Sequence, residues 1–196
     1  GYASFIVDDG FNLRLANKPL PDGSSEWFKR SGKSWKLFAK VPQGDGLTTS
    51  MVGLTRDGKT VYMVDSRDRD TAALFAIDLG SAKRTLLHQD PHADVGNVFV
   101  DPKTEVVRAV AVDYLRNEWT VLDPAIGKDF DYLKTLGDGE VNIVSESFDD
   151  KFWVVVLTRS DASPKYYLYD RAAGKAAFWF DVRPALAREK LSVMHP

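Results

Sequence analysis

Tyr166-Tyr167-Leu168-Tyr169-Asp170-Arg171-Ala172-Ala173-Gly174-Lys175, followed by Ala176-Ala177-Phe178-Trp179-Phe180, is the stretch whose reading decides the fold. An aromatic-rich strand runs to an Asp, a short turn carries Gly and Lys, and a second apolar strand follows. The phrase has two earlier copies, Leu74-Phe75-Ala76-Ile77-Asp78-Leu79-Gly80-Ser81-Ala82-Lys83 and Trp119-Thr120-Val121-Leu122-Asp123-Pro124-Ala125-Ile126-Gly127-Lys128. Asp78, Asp123 and Asp170 lie 45 and 47 residues apart, and each is followed five residues later by a Lys. Carboxylates repeated once per unit cannot all serve one active centre. Their expected role is to cap the turn by accepting backbone N–H groups.

A second landmark recurs upstream of each copy. Leu54-Thr55-Arg56-Asp57-Gly58-Lys59, Val100-Asp101-Pro102-Lys103-Thr104 and Ser147-Phe148-Asp149-Asp150-Lys151 each separate two apolar runs. Asp-Gly and Asp-Pro form turns because Gly tolerates positive φ and Pro presets its own φ. Each unit therefore reads strand, turn, strand, loop, strand, turn, final element, over about 45 residues, which is the length and order of a propeller blade. The expected fold is all-β: a partial β-propeller of about four antiparallel four-stranded blades. Units are placed at about 47–92, 93–139 and 140–185, with a weaker one at 1–46. In that first unit Phe11–Leu15 and Glu26–Arg30 read as strands, 18–25 as a loop, and Gly32-Lys33 as the turn before Trp35.

Two places break the pattern. After Asp123-Pro124, the apolar residues Ile126, Phe130, Leu133 and Leu136 are spaced 4, 3 and 3 apart. Asp before Pro starts a helix, so a short helix is expected near 124–136 in place of an outer strand. A second is expected near 184–190, opened by Pro184.

The bulk numbers bound the function. A chain of 196 residues suggests one domain or two small ones, able to bury roughly 70% of its unfolded surface. With 26 basic and 28 acidic residues it has no global charge for nucleic acid. No apolar run approaches the ~18 residues of a membrane-spanning helix. The absence of Cys excludes disulfides and Cys-based zinc sites but leaves the compartment open. The chain opens at Gly1 in a strand-like run and stops at Pro196 without a tail, so the expectation is a piece of something longer.

With these residues in view the chain resembles the β-propeller of the prolyl oligopeptidase (S9) family of serine peptidases, in the bacterial acylaminoacyl-peptidase or dipeptidyl-aminopeptidase-like branch. The likeness rests on 66–74, on Ala109–Tyr114 with Glu118-Trp119, on Tyr166–Arg171, and on Arg183-Pro184-Ala185-Leu186 running to Met194-His195-Pro196. It covers about 50–196 well and 1–46 poorly. The resemblance implies that residues 1–185 belong to the propeller and 186–196 form an exit linker toward an α/β-hydrolase domain. It also implies a parent that hydrolyses short peptides in the bacterial cytoplasm or periplasm. The hydrolase would supply Ser, Asp and His, and the propeller would cover the active site and gate access by size. The family's nucleophile turn, Gly-x-Ser-x-Gly, does not occur here, and His88, His92 and His195 do not follow a nucleophile and acid in the required order. No catalytic residues, cofactor or metal are expected. The expected partners are the parent's own hydrolase domain, a peptide substrate, and a second copy through bare blade edges. The alternative reading is a non-catalytic propeller that serves as an interaction or binding module.

Ser66–Asp70 packs two Arg and two Asp into a loop between second and third strands. Arg67, Arg69 and Asp70 there, with Arg116 and Arg159 in the corresponding loops, are the substrate-gating candidates; the competing reading is a salt-bridged turn. The loops 65–71, 113–118 and 159–165 are expected on one face. The His88–Asp94 stretch could be read as a metal loop, but polar turn residues are expected between blades. Trp27, Trp35, Trp119, Trp153 and Trp179 are expected mainly as core packing.

Overall fold

The computed structural model describes residues 1–194. His195 and Pro196, which close the Arg183-to-Pro196 motif, lie outside the described residues. Two compact units divide the chain: 1–95 with 104–106, and 96–103 with 107 onward.

The first unit holds two sheets. Strands β1 (Ser4–Val7), β2 (Leu13–Pro19), β3 (Ser25–Ser31) and β4 (Ser34–Val41) form an antiparallel meander. β5 (Ser50–Leu54), β6 (Thr60–Asp65), β7 (Ala73–Asp78) and β8 (Arg84–His88) form another. Alternation in these strands turns Leu15, Trp27 and Val41 of one sheet toward Leu54, Val61, Met63 and Ile77 of the other, and these residues form one buried cluster. The gain from burial is about 1.5–3 kcal/mol for each large apolar side chain.

The second unit repeats the plan with one change. β9 (Val95–Val100), β10 (Val107–Asp113) and β11 (Asn117–Val121) form a three-stranded sheet. The place of its fourth strand in the sequence is taken by a 3-10 turn, Pro124–Ile126, and the helix α1 (Gly127–Leu133). Asp123 starts this segment: its side chain accepts from the Ala125 N–H at 2.9 Å, and Pro124 gives up no needed donor at the first position. Ile126, Phe130 and Leu133 are buried against Phe99, Ala109, Trp153, Val155 and Tyr169. β12 (Glu140–Glu146), β13 (Phe152–Arg159), β14 (Ala162–Asp170) and β15 (Lys175–Asp181) complete a four-stranded sheet, followed by a 3-10 turn at Pro184–Arg188.

Each of the four sheets joins its first two strands through an Asp-capped turn. Asp8, Asp57, Asp101 and Asp149 accept the backbone N–H of Gly10, Lys59, Lys103 and Lys151 respectively. The turn needs one residue at positive φ, supplied by Gly58 at +67° in one copy and by Asp150 at +58° in another. The Asp-to-Lys phrases cap as expected: Asp78 accepts from the Ser81 N–H at 2.7 Å and Asp170 from the Ala173 N–H at 3.0 Å. These bonds hold the Asp78 carboxyl below its ordinary range, chiefly through the Ser81 backbone N–H. Asp78→Ala should therefore speed hydrogen exchange of the Ser81 amide by tenfold or so, whereas Asp78→Asn should retain most of the protection. Equal exchange in wild type and Asp78→Ala would show that the turn does not depend on the cap.

The tryptophans divide. Trp27 and Trp153 are buried and Trp119 packs half-buried against the second unit's core. Trp35 instead joins a surface cluster with Tyr2 and Phe5, and Trp179 is 59% exposed on β15.

Candidate functional site

In the first unit, the 65–71 loop is a tied turn. Arg67 forks onto Asp65, donating through Nε at 2.8 Å and Nη2 at 2.6 Å, and its Nη1 donates to the Lys40 carbonyl. Arg84 of β8 reaches the same carboxylate while lying 4.2 Å from the Phe75 ring centroid. Burial pushes the fully buried Asp65 up, but the Arg67 hydrogen bonds and the charges of Arg67 and Arg84 outweigh it and leave its pKa lowered. Arg69 donates to the Gln89 side chain and the Thr71 carbonyl. Asp70 is exposed. Of the three candidates in this loop, Arg67 is thus engaged in holding the turn. His88 ends β8, and Asp90 accepts the His92 N–H at 2.8 Å, an ordinary turn. Among the described residues no three His, Asp or Glu side chains stand in metal-holding geometry.

In the second unit, the 113–118 and 159–161 loops meet at one cleft of about 490 Å³. Arg116 pairs with Asp138 at 3.2 Å, and Arg159 forks onto Asp161 at 2.9 Å through both Nε and Nη2. The Asp161 hydrogen bonds raise the Arg159 pKa and lower that of Asp161. Glu140, Ser160, Val193 and Met194 complete the walls, with the Met194 N–H donating to Ser160 Oγ. Gly139 lines the cleft and has no room for a side chain: a Cβ there would lie 2.6 Å from the Thr158 carbonyl oxygen. The cleft thus presents two guanidinium groups interleaved with carboxylates, chemistry suited to the polar backbone and charged groups of a peptide.

Sequence reasoning missed a buried ion network in the same unit. Arg108, 5% exposed, donates to Asp123 at 3.1 Å and to Asp150 at 2.7 Å. Arg171 also bonds Asp150 and reaches Asp129 through Nη2 at 2.8 Å. Asp129 is fully buried and accepts the Tyr169 hydroxyl as well. Burial, then the Asp129 hydrogen bond, pushes the Tyr169 pKa up. Glu146 lies within the field of this network with a buried, unpartnered Oε2; burial, then the charge of Asp150, pushes its pKa up to about 7. The one available signal was the Arg that directly follows Asp170 in the repeated phrase.

No family model matches the chain. A dipeptidyl aminopeptidase BIII from Pseudoxanthomonas mexicana is 46% identical over 195 residues, 99% of this chain and 28% of that protein. That likeness along nearly the whole chain supports a fragment of a prolyl oligopeptidase (S9) family protein. A dipeptidyl peptidase family member 6 from Caenorhabditis elegans is 26% identical and matches 97% of this chain. The chain spans 28% and 27% of the lengths of those two relatives. Its fold matches the crystal structure of Porphyromonas gingivalis dipeptidyl peptidase 4 with a TM-score of 0.61 at 11% identity, covering 88% of this chain and 25% of that one. The four sheets are accordingly β-propeller blades.

Proposed function

We propose that this chain is the propeller portion of a serine peptidase that acts on short peptides. It covers the active site, limits access by size, and contributes no catalytic residue. The observation that supports this reading is the 46% identity to a dipeptidyl aminopeptidase along 99% of the chain. The partners in this reading are the hydrolase domain of the same parent and the peptide substrate. Arg116 and Arg159 are the gating residues best disposed for contact, because both border the cleft and are partly exposed. Arg69 and Asp70 form a further candidate pair in the first unit, with Arg67 holding their loop.

The test compares the chain alone with a longer protein that joins it to an S9 hydrolase domain. The chain alone should give no turnover of fluorogenic dipeptidyl substrates. The longer protein should cleave them and should discriminate against substrates of increasing length. Arg116→Ala with Arg159→Ala should lower kcat/KM for short peptides about tenfold while leaving hydrolysis of a minimal ester substrate unchanged. Turnover by the purified chain, or equal rates on short peptides and intact proteins, would overturn the reading.

We also propose that a second copy can cover bare blade surface. Phe5 and Val7 of β1 in the first unit, and Phe178 and Phe180 of β15 in the second, are each 42–59% exposed. Light scattering should show mass rising with concentration. A dilution-independent monomer would refute it.

A further inference from the structure

The three-stranded sheet of the second unit leaves one strand position open. β11 ends that sheet, with β10 on one side and, among the described residues, no strand on the other. The register pairs Ala109 with Val121 and Ala111 with Trp119, and the Leu122 N–H bonds the Arg108 carbonyl. In an antiparallel ladder this parity directs residues 118, 120 and 122 toward β10. The N–H and C=O groups of Asn117, Trp119 and Val121 therefore point away from the sheet. The Asn117 N–H meets Glu140 Oε1 at 3.3 Å. Among the described residues the outward groups of Trp119 and Val121 have no hydrogen-bond partner.

A groove of about 320 Å³ runs beside this edge. Asn117, Glu118 and Trp119 of β11 form one wall, and Phe130, Leu133 and Lys134 at α1 form the other. It shares only Gly139 with the arginine cleft. Asn117 lines it and keeps a buried Oδ1 without a hydrogen-bond partner. Such an orphaned acceptor is rare in a folded protein and calls for a donor. Trp119 and Phe130, 5.8 Å apart between ring centroids, give an apolar floor. Lys134 is exposed on the helix wall and makes no ion pair among the described residues, with the Glu118 carboxylate on the strand wall.

We propose that this groove binds an extended peptide segment, which adds to β11 as the sheet's missing fourth strand. Its backbone pairs with the outward groups of Trp119 and Val121, an apolar side chain lies against Trp119 and Phe130, and a carboxylate side chain meets Lys134. Strand addition draws affinity from main-chain hydrogen bonds and specificity from pockets for alternate side chains, the two features this edge supplies. The helix explains why this edge differs from the other free edges: it builds a second wall. The inference does not rest on the peptidase reading, because it requires no turnover and no other domain.

The probe is an end-blocked hexapeptide, acetyl-Thr-Val-Thr-Phe-Thr-Glu-amide, titrated into the whole chain and followed by NMR and amide hydrogen exchange. Saturable binding should slow exchange at Trp119 and Val121 at least tenfold while leaving Glu118 and Thr120, already paired with β10, unchanged. Two N-methylated versions keep the protein intact: one blocks the amides of the first, third and fifth residues, the other blocks the alternate set. One set should lose binding at least tenfold and the other should retain it, since only alternate amides face β11. Lys134→Glu should weaken the Glu-bearing peptide several-fold but not its Gln counterpart. Equal tolerance of both methylated sets, unchanged exchange at Trp119 and Val121, or no saturation at millimolar peptide would overturn the proposal.

Discussion

Arg171→Met is expected to destabilise the second unit by about 3–5 kcal/mol, the range for removing one partner of a buried ion pair. Asp129 is fully buried and takes two donors from Arg171, and Asp150 takes donors from both Arg171 and Arg108. Met fills much of the same volume, so the loss comes from a carboxylate left in the interior with only the Tyr169 hydroxyl to solvate it. The control separates charge from packing. Arg171→Met combined with Asp129→Asn removes the stranded charge, keeps an acceptor for Tyr169, and should recover at least half of the loss. Urea unfolding read by tryptophan fluorescence reports both, because Trp153 packs under Arg171 at 4.7 Å from the guanidinium carbon. A loss below about 1 kcal/mol for the single variant, the value of an exposed pair, would mean the network is solvated.

Glu146→Gln is expected to raise stability at pH 8 by about 2 kcal/mol and to change it little at pH 4. The sign follows from the direction of the shift. The Glu146 carboxyl titrates near 7 in the folded chain against 4.5 ordinarily, because burial and then the charge of Asp150 disfavour its anion, while Arg108 offsets part of this. Below pH 4.5 the group is neutral in both states and costs nothing. As pH rises from about 4.5 to 7 the unfolded chain releases the proton first, so the folded state loses stability through that window and the loss is complete above it. A full shift would be worth more, but partial solvent contact reduces it. Gln carries no proton to lose and should flatten the wild-type decline between pH 4.5 and 7. Parallel stability–pH curves for the two proteins would contradict the assignment.

The loop arginines show where sequence reading ends. Arg116 and Arg159 were singled out by equivalent positions in two successive sequence repeats, and the structure brings their loops to one cleft. Arg67 was singled out on the same basis, yet it is held by Asp65, two residues away, and shares that carboxylate with Arg84, 19 residues from Asp65. Repetition identifies a loop position, but which charged groups meet there depends on neighbouring strands.

The sequence by itself determined the blade plan. Strand alternation, Asp-capped turns and the Asp123-Pro124 helix start act over a few residues, where local backbone energetics dominate. That made four sheets and one replaced outer strand legible from spacing alone. Only the tertiary structure decided the ion network of Arg108, Arg171, Asp129 and Asp150, the neutral-range carboxyl of Glu146, and the open edge beside Trp119. Arg171 and Asp129 are 42 residues apart, and Arg108 and Asp150 are also 42 apart. Such partners carry no local periodicity. Their pairing follows from the requirement that charges taken out of water find opposite charges within hydrogen-bond reach, and reach is set by packing.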